Sequence, residues 1–108
     1  MIKFEYIRSL LKAGEPLKAK NLLTSLSLKT QKQPLFSELM AQTYGDLNQP
    51  AESHRYLADY YFAMGSTQQA ILQSRLAQQI RGISSQMQLI LRDKLTFLLN
   101  MAEEERRS

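Results

Sequence analysis

Helix-ending residues and small residues recur along this chain at a spacing of 34 residues and, in places, at half that spacing. Gly14 is matched by Asn48 after 34 residues, and Asn48 is matched by Gly65 after 17 more. Further matches at 34 are Ala19 with Ser53 and Leu23 with Leu57, and further matches at 17 are Ala41 with Ala58 and Tyr44 with Tyr61. This period is typical of stacked helix pairs, each of which buries its apolar face against its neighbours.

Apolar residues at helical spacing fill the segments between these positions. The clearest segment is 34–47, where one face carries Phe36, Leu39, Met40, Thr43, Tyr44 and Leu47. The pattern predicts six helices, over residues 2–13, 16–28, 34–47, 51–64, 67–81 and 84–102. Their short links make neighbouring helices antiparallel, so the fold class is all-α, with three helical hairpins.

The length of 108 residues predicts one domain, 1–108. The chain has no cysteine, which excludes a disulfide framework and a thiol nucleophile. No apolar run approaches the length that spans a bilayer, and the first residues lack the layout of a secretory signal. We therefore expect no membrane insertion.

The net charge of +4 is unevenly distributed. Residues 1–33 carry seven Lys or Arg and two acids, residues 34–67 carry one and four, and residues 68–108 carry six and four. A basic beginning and an acidic middle favour two kinds of protein contact over a single nucleic-acid stripe. No aromatic residue interleaves the lysines of the first hairpin as base stacking would prefer, so no nucleic-acid partner is predicted.

The stretch "AESHRYLADYYFAMGSTQQA", residues 51–70, resembles a tetratricopeptide (TPR) motif. The small residues Ala58, Ala70 and Ala77 would let helix backbones approach, and Tyr61 would fill a groove between turns. The positions interpreted as structural are Ala41, Tyr44, His54, Leu57, Ala58, Tyr61, Gly65, Ala70 and Ala77. The resemblance implies a TPR-like right-handed solenoid of about six antiparallel helices.

Among TPR proteins, the order of segments is similar to one group. "LLKAGEPLKAKNLL" followed by "AESHRYLADYY" and "GSTQQAILQ" resembles the C-terminal TPR domain of periplasmic zinc metalloproteases of the β-barrel assembly-enhancing type. The resemblance covers most of residues 8–81. The departures from the group are Asp59 for Glu, Asn48 for Gly, Ser74 for Leu and Lys94 for Arg.

This resemblance implies a periplasmic docking domain that binds outer-membrane barrel-assembly components or their clients. It also implies that the chain is a fragment of a longer protein whose protease domain is absent. The chain holds one histidine, so the H-E-x-x-H motif cannot be formed, and we expect no catalytic site, no metal and no cofactor in this chain. The alternative is an intracellular, cytoplasmic TPR scaffold of another complex.

His54 is interpreted as a structural imidazole, because it shares a helix stripe with Leu57, Ala58 and Tyr61. Tyr61 is expected in the core, whereas Tyr56 and Tyr60 fall on a second face.

Two registers of the repeat predict two different concave, peptide-binding faces. The favoured register, anchored at Gly65, presents Glu52, Arg55, Asp59 and Phe62. The register anchored at Gly14 and Asn48 presents Arg8, Lys12, Glu38, Gln42 and Asp46. Because "LILRDKLTFLLN" is apolar on more than one side, the C-terminal helix is expected to pack against either a second copy of the chain or the absent domain, and a homodimer through this helix is predicted.

Overall fold

The computed structural model describes residues 3–108, which form seven helices and no strand. The helices are α1 (Phe4–Lys12), α2 (Pro16–Thr24), α3 (Leu28–Gln31), α4 (Pro34–Asp46), α5 (Pro50–Ala63), α6 (Thr67–Gln78) and α7 (Ser85–Arg107). The all-α class predicted from the sequence is confirmed. The first position of the predicted 2–13 helix lies outside the described residues.

The predicted helix 16–28 is divided in the structure. α2 ends at Thr24, where the hydroxyl groups of Thr24 and Ser25 donate back to carbonyls of the preceding turn and compete with helix propagation. Ser27 then caps a new single turn, α3, by accepting a hydrogen bond from the backbone N–H of Thr30. This turn is the seventh helix that the periodicity did not predict.

The last helix is longer than predicted and continues to Arg107. Its final turns consist of strong helix formers, and Glu103 pairs with Arg106 and Arg107 at helical spacing. Glu105 also accepts a hydrogen bond of 2.8 Å from the hydroxyl of Thr67 at the start of α6. These contacts keep the chain helical beyond residue 102, where the sequence predicted the helix to end.

The turns between helices repeat at the level of the backbone. The residues with positive φ among those described are Gly14, Asn48, Gly65 and Gly82, at 75°, 63°, 83° and 79°. After the first three, the next backbone N–H donates to a carbonyl five residues earlier: Glu15 to Leu10, Gln49 to Tyr44 and Ser66 to Tyr61, at 2.8–2.9 Å. The 34- and 17-residue spacing of the sequence therefore corresponds to one turn geometry used three times.

The buried side chains form a series of clusters that follows the order of the helices. The first joins α1, α2 and α4 and contains Ile7, Leu10, Leu11, Ala19, Leu23, Phe36, Leu39 and Met40. The second joins α5, α6 and α7 and contains Ala58, Ala70, Ile71 and Leu98. The third joins the end of α6 to the start of α7 and contains Ala77, Met87 and Leu91.

Within residues 3–108, extensive contacts connect only helices that are neighbours or near neighbours in this order. α1 and α2 pack on each other and on α4, and each helix from α4 to α7 then packs on the next. The molecule measures 44 × 33 × 20 Å, with a radius of gyration of 14.4 Å. A compact chain of this length would have a radius of about 13 Å, so the arrangement is somewhat elongated.

None of the helices in residues 3–108 combines the length and the apolar character that crossing a bilayer requires.

Candidate docking surfaces

The α5 face favoured from the sequence is partly covered by α7. Lys94 of α7 donates a hydrogen bond to the carboxylate of Asp59, and both side chains are partly buried. Phe97 of α7 packs edge-on against Phe62, with ring centroids 5.3 Å apart and an interplanar angle of 76°. Asp59 and Phe62 therefore have partners within the chain, through contacts that neither register of the repeat predicted.

The other two residues of that face, Glu52 and Arg55, are half-buried. The guanidinium of Arg55 lies over the ring of Tyr56, 4.9 Å from its centroid. Its Nε is buried and has no acceptor among the described residues. Stacking on the tyrosine holds this arginine in place.

Tyr56 belongs to an aromatic stack that joins α5 to α4. Its ring lies nearly parallel to that of Tyr44, at 5.7 Å and 7°, and Phe36 meets it edge-on at 6.4 Å. The ammonium of Lys20 caps the stack from α2, 5.5 Å from the centroid of Tyr44. Burial raises the pKa of Tyr56, against the opposing effect of the adjacent Arg55.

His54 lies on the side of α5 that faces α6. Its Nδ1 is 2.7 Å from the side-chain amide oxygen of Gln73, which fits a ring that carries a proton on that nitrogen and donates it to the amide. Within residues 3–108, no group of three or more acidic and histidine side chains is arranged to hold a metal ion. The imidazole therefore links two helices, and Gln73 is the partner that the sequence did not indicate.

The small residues of the repeat lie where helices meet. Ala41, Ala58, Ala70 and Ala77 are all at most 3% exposed. Tyr61 is half-buried beside the cluster that joins α5, α6 and α7. The other structural candidates differ in position: Tyr44 packs on the first cluster, and Gly65 is an exposed turn residue.

A shallow groove of about 350 Å³ lies between α4 and α5, on the side away from the tyrosine stack. We call it the α4–α5 groove, and its lining residues are Glu38, Ala41, Gln42, Gly45, Asp46, Ser53 and Leu57. Glu38 and Gln42, both docking candidates from the sequence, thus come together with Asp46 of the same register. Leu57, interpreted as a packing residue, is half-buried and forms an apolar part of the wall.

Small residues give the α4–α5 groove its floor. The hydroxyl of Ser53 donates to the backbone carbonyl of Ala41 at 2.8 Å, and a Cβ on Gly45 would lie 3.6 Å from the same hydroxyl oxygen. The two helices consequently approach closely, and the side chains on either side stand above the contact. Ser53 was matched to Ala19 in the repeat, but its hydrogen bond across helices was not predicted.

The α4–α5 groove is acidic. Glu38 and Asp46 lie two turns apart on α4, and no Lys or Arg lines the groove among the described residues. The carboxylate of Glu38 also acts on the neighbouring phenol of Tyr60, whose pKa is raised by that negative charge.

The basic candidates of the same register lie elsewhere. Arg8 lines a wider depression of about 870 Å³ at the N-terminal end of the molecule, together with Lys3, Phe4 and Leu35. Lys12 is exposed at the end of α1. The structure therefore separates the acidic members of this predicted face, in the α4–α5 groove, from its basic members.

Lys94 is the residue of these surfaces that sequence reasoning most clearly missed. It lies three residues after Leu91 and four before Leu98, on the apolar side of the last helix. A lysine within an apolar stripe is a signal for a paired, partly buried charge. The sequence did not identify which acid it meets.

Comparisons of the chain with protein-family models, with curated proteins and with solved structures find no match.

Proposed function

We propose that this chain is a non-catalytic protein-docking domain built as a TPR-like right-handed solenoid, and that the α4–α5 groove receives a segment of the partner. The repeated turns at Gly14, Asn48 and Gly65 support the repeat. The restriction of extensive contacts to near neighbours supports a stack, since a bundle closed around one axis would bring α1 against α7. The engagement of His54 by Gln73 supports a structural role for the only histidine.

One observation carries the docking proposal: among residues 3–108, the α4–α5 groove is lined by two carboxylates and an apolar wall and by no Lys or Arg. Asp59 of α5 is paired with Lys94 of α7, whereas Glu38 and Asp46 line the groove. An open concave strip with uncompensated charge attracts a ligand of opposite charge and offers it apolar contact. The partner segment is therefore a basic peptide with an apolar residue that contacts Leu57.

The envelope assignment rests on the resemblance of "AESHRYLADYY" to the barrel assembly-enhancing proteases. In this part of the proposal the domain is periplasmic and binds outer-membrane barrel-assembly components or their clients. A photo-crosslinker at position 42 of the protein in bacterial cells tests it. Capture of a barrel-assembly component supports the assignment, and crosslinks only to cytoplasmic proteins favour the intracellular scaffold.

The docking groove is tested independently of the cellular partner. We would select a random peptide library on the purified chain and titrate the selected peptides into isotope-labelled protein. We expect the selected peptides to be basic, and we expect the changes in the amide chemical shifts of the protein to centre on Glu38, Gln42 and Leu57. The variants Glu38→Gln and Asp46→Asn are each expected to weaken binding about 5- to 10-fold, in line with the loss of one charge contact.

The matched control is Glu104→Gln, which removes an exposed acid from the far end of α7. Its affinity for the same peptides should equal that of the parent chain. Selection of acidic peptides, or shift changes confined to another face, would contradict the proposed groove.

A further inference from the structure

The outer face of α6 and α7, at the C-terminal end of the helix order, is apolar and open. Of the eight large apolar side chains that are exposed in residues 3–108, four belong to these two helices: Leu72, Leu89, Phe97 and Leu99. Phe97 packs on Phe62 of α5, whereas Leu89 and Leu99 border the line between α6 and α7. Leu89 and Leu99 are 50% and 42% exposed. Scattered exposed leucines are ordinary, but two that border one line between helices indicate an interaction surface.

This face is also concave. Two depressions follow the line between α6 and α7, of about 550 and 630 Å³. The first includes Ile83, Leu89 and Arg92, and the second includes Ile71, Leu99 and Ala102. We call this line the α6–α7 groove. From α4 onward each helix packs on the one before it, so the α6–α7 groove is where a further helix of the stack would lie.

The side of α7 that borders the groove has the pattern of a helix that pairs with another helix. Leu89, Arg92, Thr96, Leu99 and Glu103 follow one another at intervals of three, four, three and four residues. This 3.5-residue average keeps them on one seam, as in a coiled coil. Arg92, Thr96 and the two leucines are exposed.

The seam is self-complementary in one orientation. If two copies of α7 lie antiparallel with their two-fold axis beside residue 94, Leu89 of each copy faces Leu99 of the other. The same alignment brings Glu103 of one copy to Ser84 and Ser85 at the start of α7 in the other, where an acid is favoured by the helix dipole. A parallel pairing would instead place Arg92 against Arg92 and Glu103 against Glu103.

We propose that the occupant of the α6–α7 groove is a second copy of this chain, bound through antiparallel α7 helices in a two-fold symmetric dimer. This goes beyond the docking function, because the α4–α5 groove lies on other helices and takes no part in it. Each half of the interface contributes two leucine contacts, so the dissociation constant of the dimer should lie between about 10 µM and 1 mM, the range of small interfaces.

Sedimentation equilibrium of the full chain across that range tests the dimer. Leu89→Lys and Leu99→Lys should each raise the concentration of half-dimerisation at least about 10-fold, since each places two charges in the apolar seam. Leu17→Lys and Leu28→Lys are the controls, because these leucines are 59% and 77% exposed on α2 and α3. These two control substitutions should leave the concentration of half-dimerisation unchanged. A parent chain that stays monomeric at 1 mM, or controls that act as strongly as the seam variants, would overturn the proposal.

The absence of cysteine makes the orientation testable by disulfide formation. Antiparallel pairing expects Leu89→Cys and Leu99→Cys chains to crosslink when they are mixed and to stay largely uncrosslinked when each is oxidised alone. Efficient crosslinking of each variant with itself and not with the other would overturn the antiparallel dimer. Circular dichroism of each variant confirms that the helices are intact.

Discussion

Lys94 of α7 donates a hydrogen bond to Asp59 of α5, and this pair ties together two helices that are 35 residues apart in the sequence. The lysine side chain is 21% exposed and the aspartate 37%. The contact lies beside the Phe62 and Phe97 rings, so polar and aromatic contacts act together at the same junction. α7 is therefore held to α5 as well as to α6, which makes the C-terminal helix part of the stack.

The Asp59 and Lys94 pair should contribute measurably to stability. We expect a double-mutant cycle of Asp59→Asn and Lys94→Met to give a coupling energy of about 0.5–1 kcal/mol, the upper part of the range for partly exposed ion pairs. Urea unfolding of the four proteins measures it. The comparison pair is Lys18 with Glu15, which lies at 3.0 Å on the surface and should couple more weakly. Equal coupling in the two pairs would contradict the structural role of the α5 and α7 contact.

The substitution Ser74→Ala should stabilise the protein. Its side chain is fully buried between helices, and its hydroxyl has no hydrogen-bond partner in the part of the chain that the structure describes. Burying an unpaired hydroxyl costs about 1–3 kcal/mol. Since Ser74→Ala also loses some packing, we expect the free energy of unfolding to rise by about 1 kcal/mol.

Thr43 provides the opposite case. It is equally buried, but its hydroxyl donates to the carbonyl of Leu39 at 2.7 Å. Thr43→Val keeps the shape and removes that hydrogen bond, so stability should fall by about 1 kcal/mol. If both substitutions change stability in the same direction, the assignment of hydrogen bonds at these two sites is wrong.

Asn48 carries the repeated turn at a position where most residues are strained. With φ of 63°, it is the non-glycine residue with positive φ in residues 3–108. Asn48→Ala should lower the free energy of unfolding by about 1 kcal/mol, whereas Asn48→Gly should be close to neutral. Gly45 offers a contrast, because it lies inside α4 with room for a Cβ. Gly45→Ala should raise stability by up to about 1 kcal/mol through helix propensity.

The interaction between Glu38 and Tyr60 gives a pH-dependent signature. The negative charge of Glu38 raises the pKa of Tyr60. A raised pKa means that the neutral phenol is favoured in the folded protein, so this contribution to stability is complete below the ordinary tyrosine pKa and is lost as pH rises through the folded value. Glu38→Gln should lower the pKa of Tyr60, as followed by NMR of its ring signals between pH 9 and 12. An unchanged pKa would show that Glu38 does not act on this phenol.

The sequence predicted the parts of the fold that depend on local rules. The helices around Phe36 and Tyr61 follow from 3.6-residue periodicity, and the turns at Gly14 and Gly65 follow from the conformations that glycine tolerates. The helix formers and the Glu103 pairs of the last turns of α7 were visible in the sequence, but the hydrogen bond that Glu105 accepts from Thr67 of α6 was not, and the length of α7 was underestimated. Local pattern contains no information about such a contact.

The contacts of the candidate surfaces were less predictable for the same reason. Glu38 and Gln42 share a face by helix spacing alone, so their neighbourhood could be inferred. α7 covers Asp59 and Phe62 because it packs against α5, through contacts between residues that are 35 positions apart in the sequence. Half-period symmetry also left two registers open, and only the three-dimensional arrangement distinguishes their exposure.

The proposed docking domain depends on an open stack of helices in chain order. The distance between α1 and α7 tests this arrangement directly, and it can be measured between spin labels on Ser9→Cys in α1 and Asn100→Cys in α7, because the chain has no other cysteine. Pulsed electron paramagnetic resonance gives the distance, and labelled protein is diluted into unlabelled protein to exclude distances between copies. Four successive packing steps of 8–10 Å, from α1 through α4, α5 and α6 to α7, predict a separation of about 30–40 Å between these helices. A narrow distribution near about 10 Å would mean that α1 and α7 are neighbours in a closed bundle, and would contradict the stack and the docking groove that depends on it.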